Sequence, residues 1–387
     1  SFTPSGGTVA SGTVGWDFEV ADSVLNSLAE GEALNTSPQV YNIIISDGQG
    51  GSVTQQVAIT ITGSNDAPVI AGSLVTGAVT EAAPDGTITT AGSLSVTDED
   101  LIDDVTVSVT GATVSGGTFG GSVPMAVNLQ SMLTLAAGAG VTTAGTPSVT
   151  LAADGSDTDF SWVFTSGATG DASFDFLAAG ETLEITYTLT ADDQSGVANA
   201  TDTQTVVVTV TGTNDGPVAG ADIVTSFAED SADQTFATAS ATDADLSDNA
   251  DLAYAITGGN DAGIFEIDAS TGEISLAAVQ SLDAEAALQH VLTVEVDDGN
   301  GGTDTPTVTI DVTDVDDNPT TTPLDADGAT PYEVDETATS GTVGLTVNAT
   351  DADVTGEPVT YAIVGGTGAS DFVIDANSGV VSVSPTA

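Results

Sequence analysis

The sequence predicts an all-β chain of tandem Greek-key β-sandwich domains in a linear array, and three observations carry that reading. Alternating runs of Val, Thr and Ile recur along the whole length. Gly- and Asp-rich turns punctuate them. One acidic phrase is written three times, as "ITGSNDAPV" (Ile61 to Val69), "VTGTNDGPV" (Val210 to Val218) and "VTDVDDNPT" (Val312 to Thr320). Period-two alternation suits strands with one buried face, and a phrase that returns after each pair of such runs marks the seams of a repeat.

Each phrase follows the same material: a Leu, an acidic residue three or four positions on, an alternating run, a Gly/Asp turn such as "DGQGG" or "DGNGG", and a second alternating run. That is two long antiparallel strands joined by a hairpin. After each phrase comes a Glu (Glu81, Glu229, and Glu336 or Glu333), and then "TDED" at Thr97–Asp100, "TDAD" at Thr242–Asp245 and "TDAD" at Thr350–Asp353. The hairpins "IFEIDASTGEISL" and "DFVIDANSGVVSV" complete about seven short strands per unit, the pattern of a Greek-key sandwich. The domains are therefore drawn as 1–66, the C-terminal part of a sandwich; 67–216, a sandwich with an expanded segment; 217–318, a sandwich; and 319–387, the N-terminal part of another. The end pieces read as parts of a longer array. The expansion lies near Gly111 to Gly170, where "PMAVNLQSMLTLAA" suits one short helix.

Charge excludes several function classes. The 387 residues include 57 Asp plus Glu, one His, and no Lys, Arg or Cys, a formal charge of −57. Nucleic acid is excluded as a partner, because its binding needs Lys and Arg to displace phosphate counterions. An anionic membrane surface is excluded by the same sign. No apolar run reaches the roughly 18 residues of a membrane span, and "SFTPSGGTVA" lacks the basic and apolar regions of a signal peptide, so no membrane insertion is expected. Apolar residues still make up 40% of the chain, enough for packed cores. Disulfides and Lys–Asn cross-links are absent by composition, which leaves metal binding as the device for stiffening the array.

Only water, backbone N–H groups or a metal can neutralise these carboxylates. Ca²⁺ takes six to eight oxygens, mainly carboxylate and carbonyl. The third seam offers Asp283 and Glu285 upstream, Asp314, Asp316, Asp317 and Asn318 in the linker, and Glu336, Asp351 and Asp353 beyond. No single loop holds this set, so an ion here would join two domains. The first seam offers Glu32, Asn65, Asp66, Glu81, Asp98 and Asp100; the second offers Glu181, Asn214, Asp215, Glu229, Asp243 and Asp245. Both carry Gly (Gly63, Gly212) where the third has Asp314, and Ala67 or Gly216 where it has Asn318, so fewer ions or weaker binding are expected there.

These motifs carry a family resemblance. "LDAE" (Leu282 to Glu285), "DVDDNP" (Asp314 to Pro319) and the "DAD" tripeptides look like the calcium motifs of cadherin repeats, and "LAAGETL…TGTNDGPV" resembles the VCBS repeat of giant bacterial surface proteins. Together they resemble the extender region of RTX-type adhesins. That resemblance implies Ig-like or cadherin-like sandwiches rigidified by Ca²⁺, located on the bacterial surface or secreted, and projecting a binding tip for adhesion and biofilm formation. The pattern departs from the family at Asp316, where cadherin linkers carry Asn, and in lacking the glycine-rich nonapeptide of the RTX class.

Other chemistry has little material. The lone His290 shares parity with Leu292, Val294 and Val296 and belongs on or beside the core, and a catalytic carboxylate pair would occur once beside an aromatic cleft rather than at every seam. Enzymatic activity is not expected. Trp16 and Trp162 occupy similar contexts and read as core anchors. Two alternatives to the spacer reading remain: a ligand- or partner-binding surface on 111–170, and head-to-tail pairing of identical chains through their incomplete ends. Neighbouring repeats of the same chain are the expected partners.

Overall fold

The computed structural model describes residues 13–21, 25–35, 38–72, 75–81, 86–124, 127–152, 158–166, 173–198, 200–231, 234–317, 320–328, 332–353 and 358–386. The chain forms two compact units, residues 1–215 with 244–247, and 216–243 with 248–387. The fold is all-β, built of tandem β-sandwiches.

In the first unit, residues 67–215 form two facing sheets. One holds the strands Val75–Thr80, Thr201–Thr211, Thr182–Asp192, Val105–Gly117 and Ser148–Leu151 in that order; the other holds Val69–Ala71, Thr89–Thr97, Thr158–Thr165 and Leu133–Ala137. The alternation drives the packing. Leu183, Ile185, Tyr187, Leu189 and Ala191 point inward and are fully buried, while the intervening Thr and Glu residues stay half exposed. Trp162, Phe160 and Phe164 fill the space between the sheets. Burying such side chains stabilises the fold by about 1.5–3 kcal/mol each.

One pairing positions the functional residues. Strand Val75–Thr80 runs parallel to Val206–Thr211, with Thr80 opposite Thr211. Both therefore finish at the same end of the sandwich, and the residues that follow them, Glu81 and the linker 212–215, emerge together.

The expanded segment is built into both sheets. Its expected helix is a single 3₁₀ turn, Leu129–Met132, held down where the Tyr187 hydroxyl donates to the Leu129 carbonyl at 2.9 Å and the Gln130 amide to that of Val109 at 3.1 Å. Residues before 67 contribute the hairpin Gln39–Ser46 with Ser52–Ile59, closed by the "DGQGG" turn. Trp16 corrects the expectation from sequence. It is 54% exposed in a segment without strand pairing, while Trp162 is 1% exposed. Among the described residues before 67, the hairpin has no second sheet to close over an indole, whereas residues 67–215 supply one.

In the second unit, residues 217–313 repeat the plan. Strands Ile223–Ala228, Thr307–Thr313, Gln289–Asp297 and Ala253–Gly258 form one sheet, and Ala237–Thr238, Glu273–Leu276 and Phe265–Ile267 the other. Ile223–Ala228 again runs parallel to the closing strand, with Ala228 opposite Thr313. His290 lies at the edge of this core, its ring 5.1 Å from Phe265 in an edge-on contact, and burial lowers its pKa. Residues beyond 319 add the strands Leu324–Asp325, Thr342–Asn348, Val380–Val383 and Phe372–Ile374.

Candidate metal centres

The acidic residues gather in three clusters. Around the third linker, Glu229 is the hub: its Oε2 accepts the Ala284 N–H and its Oε1 the Val315 N–H, each at 2.7 Å. Carboxylate oxygens of Glu229, Glu285 and Asp314 lie within 4.8 Å of one another. Asp316 lies at hydrogen-bonding distance from Asp353, and Asp351 orders that tripeptide by accepting the Asp353 N–H at 3.2 Å. The Asp316 pKa is raised by Asp353 above all; that of Asp317 is raised by loss of solvent and by Glu229, Asp353, Asp283 and Asp314. Asp283 also accepts the Ala286 N–H, which shapes its loop. Asn318 lies outside the described residues.

Around the first linker, Asp66 donates its N–H to Asp100 at 2.8 Å, and the Asn65 amide donates to Asp193 at 2.9 Å. Asp98 accepts the Asp100 N–H. Burial raises the Asp98 pKa to about 6 and raises those of Asp100 and Asp103, with Asp193 adding to all three and Glu32 to the last.

Around the second linker, Asp215 donates its N–H to Asp245 at 3.0 Å, the same bond that Asp66 makes to Asp100. Asn214 donates to the Asp215 carbonyl, as Asn65 does to that of Asp66. Glu81, Asp175 and Asp215 bring carboxylate oxygens within 4.8 Å of one another. Burial, then Asp175 and Asp215, push the Glu81 pKa up to about 8. Glu181 turns back to accept the Ala178 N–H. Asp243, in the other unit, exchanges hydrogen bonds with Asn249.

The grouping by sequence order thus needs correction at the Glu residues. Glu81 sits with Thr213 and Asp215 rather than with Asn65 and Asp66, and Glu229 with Val315 and Asp314 rather than with Asn214 and Asp215. The parallel pairing of first and last strands carries each Glu to the exit end of its own domain. Glu336 lies exposed in a turn. Sequence reasoning missed Asp175, Asp193 and Asp103. Asp193 carried a signal: it occupies the same hairpin-turn place as Asp298, one oxygen accepting a turn N–H in each, and both are 2% exposed.

The donors suit a hard cation. Glu81 Oε1, Asp98 Oδ2 and Asp100 Oδ1 are buried and accept no hydrogen bond, in a chain with no Lys or Arg to satisfy them. Buried carboxylate oxygens that receive no donor are costly. An all-oxygen, multiply anionic set is what Ca²⁺ binds.

The Cadherin domain model matches residues 223–313. Residues 223–313 are thus similar to a cadherin domain. Human protocadherin Fat 1 is 33% identical over 222 residues, 52% of this chain and 4% of that protein. Human cadherin-7 is 37% identical over 154 residues, 36% of this chain and 19% of that one. The chain thus spans a small part of the curated relatives it matches. Among solved structures, the protocadherin GammaB4 extracellular domain superposes with a TM-score of 0.52 at 18% identity, covering 90% of this chain and 50% of that one; human CDH23 EC21-23 gives 0.51 at 20%, covering 82% and 90%. No described helix of this cadherin-like chain is long and apolar enough to cross a membrane.

Proposed function

We propose that this chain is a calcium-stiffened spacer of a bacterial cell-surface adhesin, an extender that projects a binding tip. The observation that carries the reading is the hub at Glu229. One buried carboxylate ties the loop at Ala284 to the linker at Val315, beside Glu285 and Asp314, while Asp316 of the same linker meets Asp353 of the following domain. Glu229, Glu285, Asp314, Asp316, Asp317, Asp351 and Asp353 would hold Ca²⁺ there. Asn65, Asp66, Asp98, Asp100 and Asp193 would do so at the first linker, and Glu81, Asp175, Asp215 and Asp245 at the second.

The bound ion supplies positive charge. The residues do the rest: backbone N–H groups fix Glu229 in advance, and mutual repulsion among the acids opens the linker when no cation is present. Extracellular calcium modules bind with Kd of about 10⁻⁴–10⁻³ M. At a hundredfold excess over Kd, each site adds about 2.7 kcal/mol of stability, a large share of the roughly 5–15 kcal/mol of a domain. Such a chain is soft where calcium is scarce and stiff outside the cell. The bacterial assignment rests on the VCBS-like phrases and on a composition without Lys or Arg.

Calorimetric titration of the metal-free chain with Ca²⁺ tests this. Saturation near 0.1–1 mM, coupled to a rise in Tm, is expected. Absence of binding at 10 mM would overturn it.

A further inference from the structure

At the first two linkers, the Gly that replaces Asp314 is imposed by backbone. A Cβ on Gly212 would stand 2.1 Å from the Leu177 carbonyl oxygen and 2.6 Å from that of Ala178. Gly63 is in the same position, 2.0 Å from the Leu28 oxygen and 2.5 Å from that of Ala29. The cause is a direct pairing of the upstream loop with the linker. Gly180 N–H donates to the Gly212 carbonyl and Gly212 N–H to that of Glu181, at 3.1 and 2.8 Å; Gly31, Gly63 and Glu32 repeat both bonds at 3.2 and 2.8 Å. No side chain fits at this point of the linker.

We propose that Asp175 supplies the carboxylate that the linker cannot carry, so that the second linker's divalent-cation site is closed from the loop that displaced it. The proposal rests on the calcium reading above. Asp175 comes two residues before Leu177, the residue that covers Gly212. Its carboxylate lies within 4.8 Å of those of Glu81 and Asp215, as Asp314 does with Glu229 and Glu285. Glu81 is 7% exposed, its Oε2 engaged by the Thr213 N–H at 3.0 Å and its Oε1 without a hydrogen bond. A buried carboxyl group with one oxygen committed to a backbone N–H and the other offered no donor by backbone or cation, facing two more acids, is a half-built cation site. The same loop at the first linker has Asn26 two residues before Leu28, and that amide donates to Glu99 at 2.7 Å. Two loops of one backbone design therefore differ by one ionisable group, and only the second loop supplies an anionic ligand at this place.

The test is Ca²⁺ titration of the full chain and of Asp175→Asn, with Tm recorded in EGTA and in 10 mM CaCl₂. The expected result is the loss of one ion, or at least tenfold weaker binding at one site, with a higher Tm in EGTA because a repelling charge has gone. Glu81→Gln should remove the same ion, and the double variant no more than either single one. Gly212→Asp, introduced into the Asp175→Asn background, should not restore it. Wild-type stoichiometry and affinity in Asp175→Asn would overturn the proposal while leaving the calcium reading intact. A lower Tm in EGTA would also overturn it, marking Asp175 as a structural acid. A wild-type chain that binds no Ca²⁺ would remove both.

Discussion

Glu229 accepts the N–H of Val315 at 2.7 Å, although 86 residues separate them. The bond exists because the strand before Glu229 runs parallel to the strand before the linker, so both chain segments leave the sandwich at one end.

Replacing that carboxylate should therefore be felt twice. Glu229→Ala leaves the N–H groups of Ala284 and Val315 without their acceptor, and a lost charge-assisted hydrogen bond costs about 1.5–3 kcal/mol. Chemical denaturation in EGTA should show a loss of that order, and a larger loss in Ca²⁺, where the site's contribution disappears as well. Equal losses in both conditions would make Glu229 a purely structural group.

Stability of the metal-free chain should fall as pH rises. Burial lifts Glu81 to about 8 and Asp98 to about 6, so between about 4.5 and 8 the folded state holds protons that the unfolded state has released. Stability then decreases with pH across that window. Thermal melts in EGTA should give a higher Tm at pH 5.5 than at pH 8.5. Saturating Ca²⁺ should flatten or reverse the trend, because the cation replaces the protons.

The sole imidazole provides an isolated check on the core edge. Burial lowers the His290 pKa from 6.5, so its contribution to stability is present above that value and is lost as pH falls through the folded-state pKa. Imidazole NMR resonances should titrate below pH 6.5 in the folded chain and near 6.5 in urea.

Gly92 and Trp162 face each other across two paired strands. A Cβ on Gly92 would meet the indole at 2.5–2.7 Å, so Gly92→Ala should destabilise residues 67–215 by about 1–3 kcal/mol. Acrylamide should quench only the Trp16 component of the fluorescence in the wild-type chain, and should reach Trp162 more readily in the variant.

The strands and hairpins were legible because alternation and turn chemistry are local. Leu183 to Ala191 could be read inward residue by residue, and "DGNGG" names its own turn. Glu81 could not be placed, because its position depends on a parallel pairing between strands more than a hundred residues apart. Asp175 was hidden for a different reason: it precedes its Leu, whereas Asp283 and Glu285 follow theirs. Asp193 looked like an ordinary turn residue, and one of its oxygens is; the other receives the Asn65 amide. Trp16 shares a sequence context with Trp162, but among the described residues no second sheet covers it.

Calcium stiffening of the junction between successive domains can be read from a distance distribution within the second unit. The chain has no Cys, so Glu266→Cys and Val373→Cys, both at exposed strand positions on either side of the third linker, accept spin labels without interference. Pulsed electron spin resonance should give a broad distribution in EGTA and a narrow one in 10 mM Ca²⁺, with the breadth restored by Asp351→Ala together with Asp353→Ala. A distribution equally broad, or equally narrow, with and without Ca²⁺ would show that the ion does not stiffen this junction.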